Sequence, residues 1–435
     1  MRAAALEGLD ATSLSLTAAS SNAGVAFATV LTLATTVPVG AEVSIRGGSI
    51  RLRGARDAVL LLTAASDFSQ RVGVPGGTEL PSAASLVARC SQTIAAASAL
   101  GWAQLLSRHT RRHAERFRGF TLRINVGRRA DLPSDRRLRA SRTAAVEDGG
   151  LVEQMTQLGR YLLIGSSAPP ATLPANLQGL WAEGARPPWG ADFHLNINLQ
   201  QIYWQAGPSA LGDCFAPLAP FVTRLAASGA HVARHVYGAS SEGAWMAHGF
   251  TDAWASAAPL APPMWAMCLS CGGWAALQLW QRFEFSRRVS HLREAWPLLK
   301  GSAQFFEDSL MRGSSAAGSA TAPLRWGPSH SPENAYTTSN GTRFLSYDVA
   351  LDLGVIAQTF RAVAAGAKAL DSLGELSASD TQLVARLDAL RRRLPAGGEP
   401  RLDAMGELAE VSTRRGSTPL PHGPCACSCA ADCML

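Results

Sequence analysis

Between about Ala210 and Leu394, apolar residues recur at helical spacing in five separate runs, and this pattern constrains the fold more than any other feature. In the first run, about Ala210 to Val236, Leu211, Phe215, Leu218, Val222 and Leu225 share one face at i, i+4, i+7 spacing, with Gly238 as a stop. About Gly273–Phe285 carries Trp274, Leu277 and Trp280. About Leu292–Met311 aligns Leu292, Trp296, Leu299, Phe306 and Leu310. About Val349–Leu370 aligns Ile356, Phe360, Val363 and Leu370. Asp380 is placed to cap a last helix bearing Leu383, Leu387, Leu390 and Leu394. Between the runs lie long segments rich in Trp, Pro, Gly and Asn, at 165–209, 239–272 and 313–347. Loops of that length inside a compact domain are usually functional. Antiparallel helix pairs with their loops gathered at one end suggest a mainly α architecture, an α/α barrel.

The first part of the chain reads differently. Up to about Phe68, short runs rich in Val, Thr and Leu (Val25–Val37, Ala41–Ile45, Ser49–Leu52, Ala58–Ala64) predict strands, with Gly47-Gly48 as a hairpin turn. Val74-Pro-Gly-Gly77 and Pro81 suit a boundary. Helical spacing then runs from Pro81 to about Phe117, with Leu86, Cys90, Ala97 and Leu100 on one face, and the polar stretch Arg128–Arg142 reads as a loop.

Composition excludes some classes. At 47% hydrophobic and 17% charged residues, the chain is globular. Its net charge of +7 is carried almost wholly by Arg, with only Lys300 and Lys368 as lysines. The clusters Arg108–Arg118 and Arg391–Arg393 carry no nucleic-acid motif, so they read as solvated helix faces and not as a nucleic-acid surface. No run reaches the ~18 apolar residues of a membrane span. Val25–Val37 lacks the basic lead of a signal peptide and reads as buried strand. Cys90, Cys214, Cys268 and Cys271 sit among apolar residues and are expected to be buried thiols. The other four cysteines, Cys425, Cys427, Cys429 and Cys433, crowd the end of the chain near His422, where a metal site and a mis-joined sequence are alternative readings.

The three loops hold the polar groups that could do chemistry. In the first, Trp189 of Pro187-Pro-Trp-Gly190 precedes His194-Leu-Asn-Ile-Asn198. Aromatic faces stack on sugar C–H groups while amides and imidazoles bond hydroxyls. If this segment is extended, His194, Asn196 and Asn198 point to one side and Leu195 and Ile197 to the other. An Asn-rich loop stabilising its own turns uses the same residues. The second loop offers His248 and Thr251-Asp-Ala-Trp254, in which Asp252 either binds a hydroxyl or caps a turn. In the third, Glu333 of Ser331-Pro-Glu-Asn334 stands among few other charges. A carboxyl shielded from water gains a raised pKa and can protonate a leaving oxygen; an exposed loop Glu is the other reading.

Leu158–Ile164, Pro174–Trp181, Pro187–Gln200, Thr251–Trp254 and Ser331–Asn334, taken in order, resemble glycoside hydrolase family 95, the 1,2-α-L-fucosidases, which also includes α-L-galactosidases. The resemblance extends over roughly residues 25–410. It implies an (α/α)6 barrel, inversion at the anomeric carbon, a fucosylated glycan as substrate, a secretory setting, and no metal or organic cofactor. By the matching motifs Glu333 is the general acid, and Asn196 and Asn198 hold the attacking water. His194 and Trp189 line the sugar pocket, and His248, Asp252 and Trp254 are further contacts. An Asn orients water but hardly deprotonates it, and the family's assisting Asp, in a Gln-Ile-Asp-Gly-Asn-like motif, is not found in this sequence. The expected organisation is therefore a partial N-terminal β-sandwich at 1–80, a helical linker at 81–145, an incomplete barrel at 146–410 and a Cys-rich tail at 411–435. Expected activities are α-1,2-L-fucoside hydrolysis, α-L-galactoside hydrolysis, or sugar binding without turnover.

Overall fold

The computed structural model describes all residues except 1, 11, 20–24, 35–38, 69–80, 125–126, 128–130, 144–147, 185, 315–323, 339–340, 400–417 and 420–435. The four C-terminal cysteines and His422 lie outside the described residues. Two compact units are present, Met1–Glu115 and Arg116–Leu435.

In the first unit, β1 (Arg2–Gly8), β2 (Ser13–Ala19), β3 (Ala26–Leu33) and β6 (Leu60–Ser66) form an antiparallel sheet in the order β1-β2-β3-β6. β4 (Glu42–Arg46) and β5 (Ser49–Arg53) form a separate hairpin. Gly47 and Gly48 turn it with φ of 54° and 72°, values that favour residues without a Cβ. Helix α1 (Ala83–Phe117) covers the sheet with Leu86, Cys90 and Ile94, which pack on Ala28 and Val30. Ile94 thus takes the buried position assigned by spacing to Ala97. The helix is broken at Gly101, where φ is 71°.

The second unit is helical. After α2 (Ser134–Thr143) come α3 (Gly149–Ser167), α4 (Asn198–Trp204), α5 (Leu218–His235), α6 (Cys271–Ser286), α7 (Val289–Ser314), α8 (Ala350–Asp371) and α9 (Ala378–Arg393). The helices alternate between two layers: α4, α6 and α8 are neighbours in one, α5, α7 and α9 in the other. One core of Leu, Phe, Ala and Trp side chains runs between the layers, with Phe305, Phe306 and Trp326 in mutual ring contact and Phe360 against Phe306. Among the described residues no helix is long and apolar enough to cross a membrane.

Three local expectations are corrected. The arginine-rich stretch forms α2 because Arg139 pairs with Asp135 one turn earlier, and the buried Arg137 grips both oxygens of Asp148 at 2.8 and 2.9 Å. Ser377 caps α9, its hydroxyl oxygen accepting from the Asp380 N–H, while the Asp380 carboxylate accepts from the Ser377 hydroxyl and pairs with Lys300. Cys268 and Cys271 form a disulfide and are not free thiols, whereas Cys90 and Cys214 are free and buried.

The segment Gly243–Ala247, in the first part of the second loop, lies against two helices at glycines. A Cβ on Gly229 of α5 would stand 2.2 Å from the Met246 carbonyl oxygen, and one on Gly301 of α7 would stand 2.3 Å from that of Gly243. Gly229→Ala is therefore expected to destabilise the protein by about 1–3 kcal/mol, as overpacking does. A urea midpoint unchanged from wild type would contradict this seating.

Candidate active site

The first and second loops meet in a two-residue ladder. β7 (Phe193–His194) pairs with β8 (Phe250–Thr251), so that His194 lies opposite Phe250. The two rings stack at 3.8 Å with planes 4° apart, and His194 Nε2 lies 3.0 Å from Asp192 Oδ1. Phe193 points to the core against Phe221. Beyond His194 the Leu195 N–H donates to the Gly249 carbonyl at 2.6 Å, and the Gln200 amide donates to the Leu195 carbonyl at 2.6 Å.

The strict alternation expected through Asn198 stops there. Leu195 is buried but Ile197 is 40% exposed, because the chain turns and Asn198 opens α4. Asn196 is only 5% exposed, and its Oδ1 makes no hydrogen bond among the described residues. A buried acceptor left unmade costs about 1–3 kcal/mol, so this oxygen is poised for a water or a hydroxyl. Asn198 is half-buried. Trp189 lies 65% exposed in a 3₁₀ turn with a left-handed φ of 48°, an uncommon conformation for a residue with a Cβ.

In the second loop His248 is buried and uses both ring nitrogens internally. Nδ1–H donates to the Ala257 carbonyl at 2.8 Å, which leaves Nε2 to accept from the Tyr237 hydroxyl at 2.8 Å. His248 thus holds the loop in shape. Asp252 Oδ1 accepts from the Trp254 and Ser256 N–H groups at 3.0 and 3.2 Å, the capping arrangement, and Trp254 stands half-exposed beside it.

Burial holds the His248 pKa below the usual value near 6.5, against a smaller opposing effect of the Ala257 carbonyl; burial acts in the same direction on His330. In the unfolded chain these rings protonate below about pH 6.5, while in the folded chain they stay neutral. Their contribution is therefore complete above that pH and is lost as pH falls below it. Stability measured by urea unfolding is expected to decline from pH 6.5 toward 5, with a shallower slope in His248→Gln. Equal slopes in the two proteins would contradict the assignment.

The third loop opens with β9 (Ser329–His330), which pairs with β12 (Leu345–Ser346); β10 (Tyr336–Thr338) and β11 (Gly341–Arg343) lie between them in the chain. The His330 N–H donates to the Met267 carbonyl at 2.9 Å, so the third loop is bonded to the end of the second. The Asn334 N–H closes a turn on the Ser331 carbonyl at 2.7 Å. Glu333 sits at the tip of this turn with its side chain exposed, which corrects the expectation of a carboxyl shielded from water. The hydrogen bonds thus join His194 to Phe250 and the Met267 segment to His330. They leave Trp189, Trp254 and Glu333 reaching outward.

Sequence reasoning missed Asp192, Tyr237 and Asp352. Asp352 is fully buried in α8, accepts from the Ser270 hydroxyl at 2.5 Å, and has its pKa raised by burial. An acid within the apolar face of Leu353, Ile356 and Phe360 was the available signal. Among the described residues no three His, Cys, Asp or Glu side chains group as metal ligands. A cavity of about 220 Å³ lies between α5 and the start of the second loop, at His231, Arg234, Ser241 and Gly243, and one of about 500 Å³ is lined by Trp204, Gln278, Gln281, Glu284, Gln358 and Arg361, among others.

Comparison with known proteins completes the picture. The chain is 31% identical over 379 residues to an Arabidopsis thaliana protein named alpha-L-fucosidase 2, covering 86% of this chain and 42% of that protein. It is 33% identical over 224 residues to a probable alpha-fucosidase A of Aspergillus niger, covering 51% of this chain and 28% of the relative. The chain thus spans less than half the length of the curated relatives it matches. In structure it resembles a putative kojibiose phosphorylase from human microbiome, with a TM-score of 0.55 at 11% identity, covering 94% of this chain and 49% of that one. Residues 101–414, which hold all three loops, match the glycosyl hydrolase family 95 catalytic domain, and the chain belongs to that family.

Proposed function

We propose that the three loops form the sugar-cleaving site of a glycosidase that releases terminal α-1,2-linked L-fucose from glycans with inversion. The observation that carries this reading is Asn196: a buried amide oxygen without a hydrogen-bond partner among the described residues, two positions after His194 and next to Leu195, whose N–H begins the hydrogen bonds that run through the second loop toward the Glu333 turn. In this reading Glu333 protonates the departing oxygen, while Asn196 and Asn198 orient the water. His194 bonds the fucose hydroxyls with Asp192 behind it. The exposed rings of Trp189 and Trp254 stack on sugar faces, and His248 and Asp252 hold the loop beneath them. Inversion also requires a carboxylate base roughly 6.5–9.5 Å from the acid.

The alternating layers support an (α/α)6 barrel as the complete architecture, with the N-terminal sheet as part of a β-sandwich. The Cys268–Cys271 disulfide supports an oxidising, secretory setting. Sugar binding without turnover is the second reading, favoured by the exposure of Glu333.

The test is to offer the purified chain 2′-fucosyllactose, 3-fucosyllactose and an α-L-galactoside and to measure free sugar. Preferential release of fucose from 2′-fucosyllactose is expected. Preference for the 3-linked or galactosyl substrate would overturn the specificity. Release of none, with 2′-fucosyllactose still raising the melting temperature, would establish the second reading.

A further inference from the structure

We propose that the Cys268–Cys271 disulfide is a positioning device that locks the sugar-facing loop to the acid-bearing loop. The proposal rests on the reading of these loops as one site.

The bonded pair is fully buried and encloses Leu269 and Ser270 at the entry to α6. Short bonds radiate from this small segment in both directions. Toward the first loop, the Gly249 N–H donates to the Ala266 carbonyl at 2.8 Å, and the Gly249 carbonyl accepts from Leu195 at 2.6 Å. Leu195 lies between His194 and Asn196. Toward the third loop, the Met267 carbonyl accepts from the His330 N–H at 2.9 Å and from the Ser329 hydroxyl at 3.2 Å. The Leu269 N–H donates to the same Ser329 oxygen at 3.3 Å, and the Ser270 hydroxyl donates to Asp352. One continuous relay therefore runs from Leu195 through Gly249, Ala266 and Met267 to His330, three residues before Glu333.

The relay's midpoint is held on one side by the single helical turn Pro263–Ala266, whose capping Met267 N–H donates to the Pro263 carbonyl at 3.2 Å, but Met267 to Ser270 belong to no helix or strand and need a constraint on the other side. The disulfide supplies that constraint. A dithiol reductant would cleave the S–S bond by adding two electrons and two protons, itself closing to a cyclic disulfide. Two thiols need more room than one disulfide, and the surroundings are close-packed. The segment would then shift and release both loops together.

The experiment is backbone hydrogen exchange on the whole chain, oxidised, dithiothreitol-reduced, and as the Cys268→Ala/Cys271→Ala double variant. The amides of Leu195, Gly249 and His330 are expected to exchange at least about tenfold faster in the reduced and double-variant proteins, equivalent to about 1.4 kcal/mol of opening free energy. Amides of α7 should keep their protection, which separates this effect from global unfolding. Affinity for 2′-fucosyllactose by calorimetry should weaken in parallel, and reoxidation should restore the wild type but not the double variant. Unchanged exchange at Gly249 and His330, or a change confined to one loop, overturns the proposal. Failure of the acid reading shows separately, as undiminished turnover in Glu333→Gln with the exchange pattern intact.

Discussion

Glu333→Gln is expected to lower kcat for 2′-fucosyllactose by about 10²–10⁴-fold, the range that general-acid catalysis supplies. Glutamine keeps the shape and can still donate an N–H bond, but it has no proton to transfer to the departing oxygen. Because Glu333 is exposed at the tip of the Ser331–Asn334 turn, its replacement should alter folding stability by no more than about 0.5 kcal/mol. KM should change little, since the acid acts when the bond breaks. An α-L-fucosyl fluoride, whose leaving group departs without protonation, should recover most of the lost rate. Initial rates on both substrates check the assignment. Equal losses on both would point to a binding role, and no loss on either would remove Glu333 from the mechanism.

Arg160→Ala is expected to be the most destabilising single change, at roughly 3 kcal/mol or more. The Arg160 side chain is fully buried. Its guanidinium donates to the backbone carbonyls of Ser209 at 3.2 Å, Phe117 at 2.8 Å, Phe120 at 3.4 Å and Arg116 at 3.0 Å, and to the Gln157 amide oxygen at 2.7 Å. The rings of Phe117 and Phe120 lie 5.3 and 5.4 Å from its central carbon. One planar group thus gathers the end of α1, the segment after it, and the turn before α5. Each carbonyl stripped of its donor inside the protein costs about 1–3 kcal/mol. Burial lowers the Arg160 pKa, so loss of the charge returns part of that cost. Arg160→Lys should be intermediate, because an ammonium has three donors and no fork. Urea unfolding orders the variants; a loss below about 1 kcal/mol for Arg160→Ala would contradict the account.

What the sequence disclosed follows from the range of the interactions. Apolar spacing located α5 through α9 to within a few residues of several ends, because a helix face is a local signal. Gly47-Gly48 located the β4–β5 hairpin for the same reason. Spacing failed at α2, where an Arg137–Asp148 pair stabilises a helix that composition reads as polar loop, and at Ile197, where α4 cuts short an apparent strand. Motifs found the candidate residues but not their arrangement. The bonds Leu195–Gly249 and Met267–His330 join residues more than fifty positions apart and leave no trace in local pattern. Nor does any neighbour of His248 reveal that Tyr237 and Ala257 occupy both of its nitrogens. The exposure of Glu333 is likewise a property of the folded turn and not of Ser-Pro-Glu-Asn.

The most direct test of the account is proton NMR of the first sugar released from 2′-fucosyllactose. The account predicts β-L-fucose as the initial product, equilibrating afterwards with the α anomer, together with loss of the signal in Glu333→Gln. Initial α-L-fucose, or β-L-fucose formed equally fast by Glu333→Gln, would contradict it.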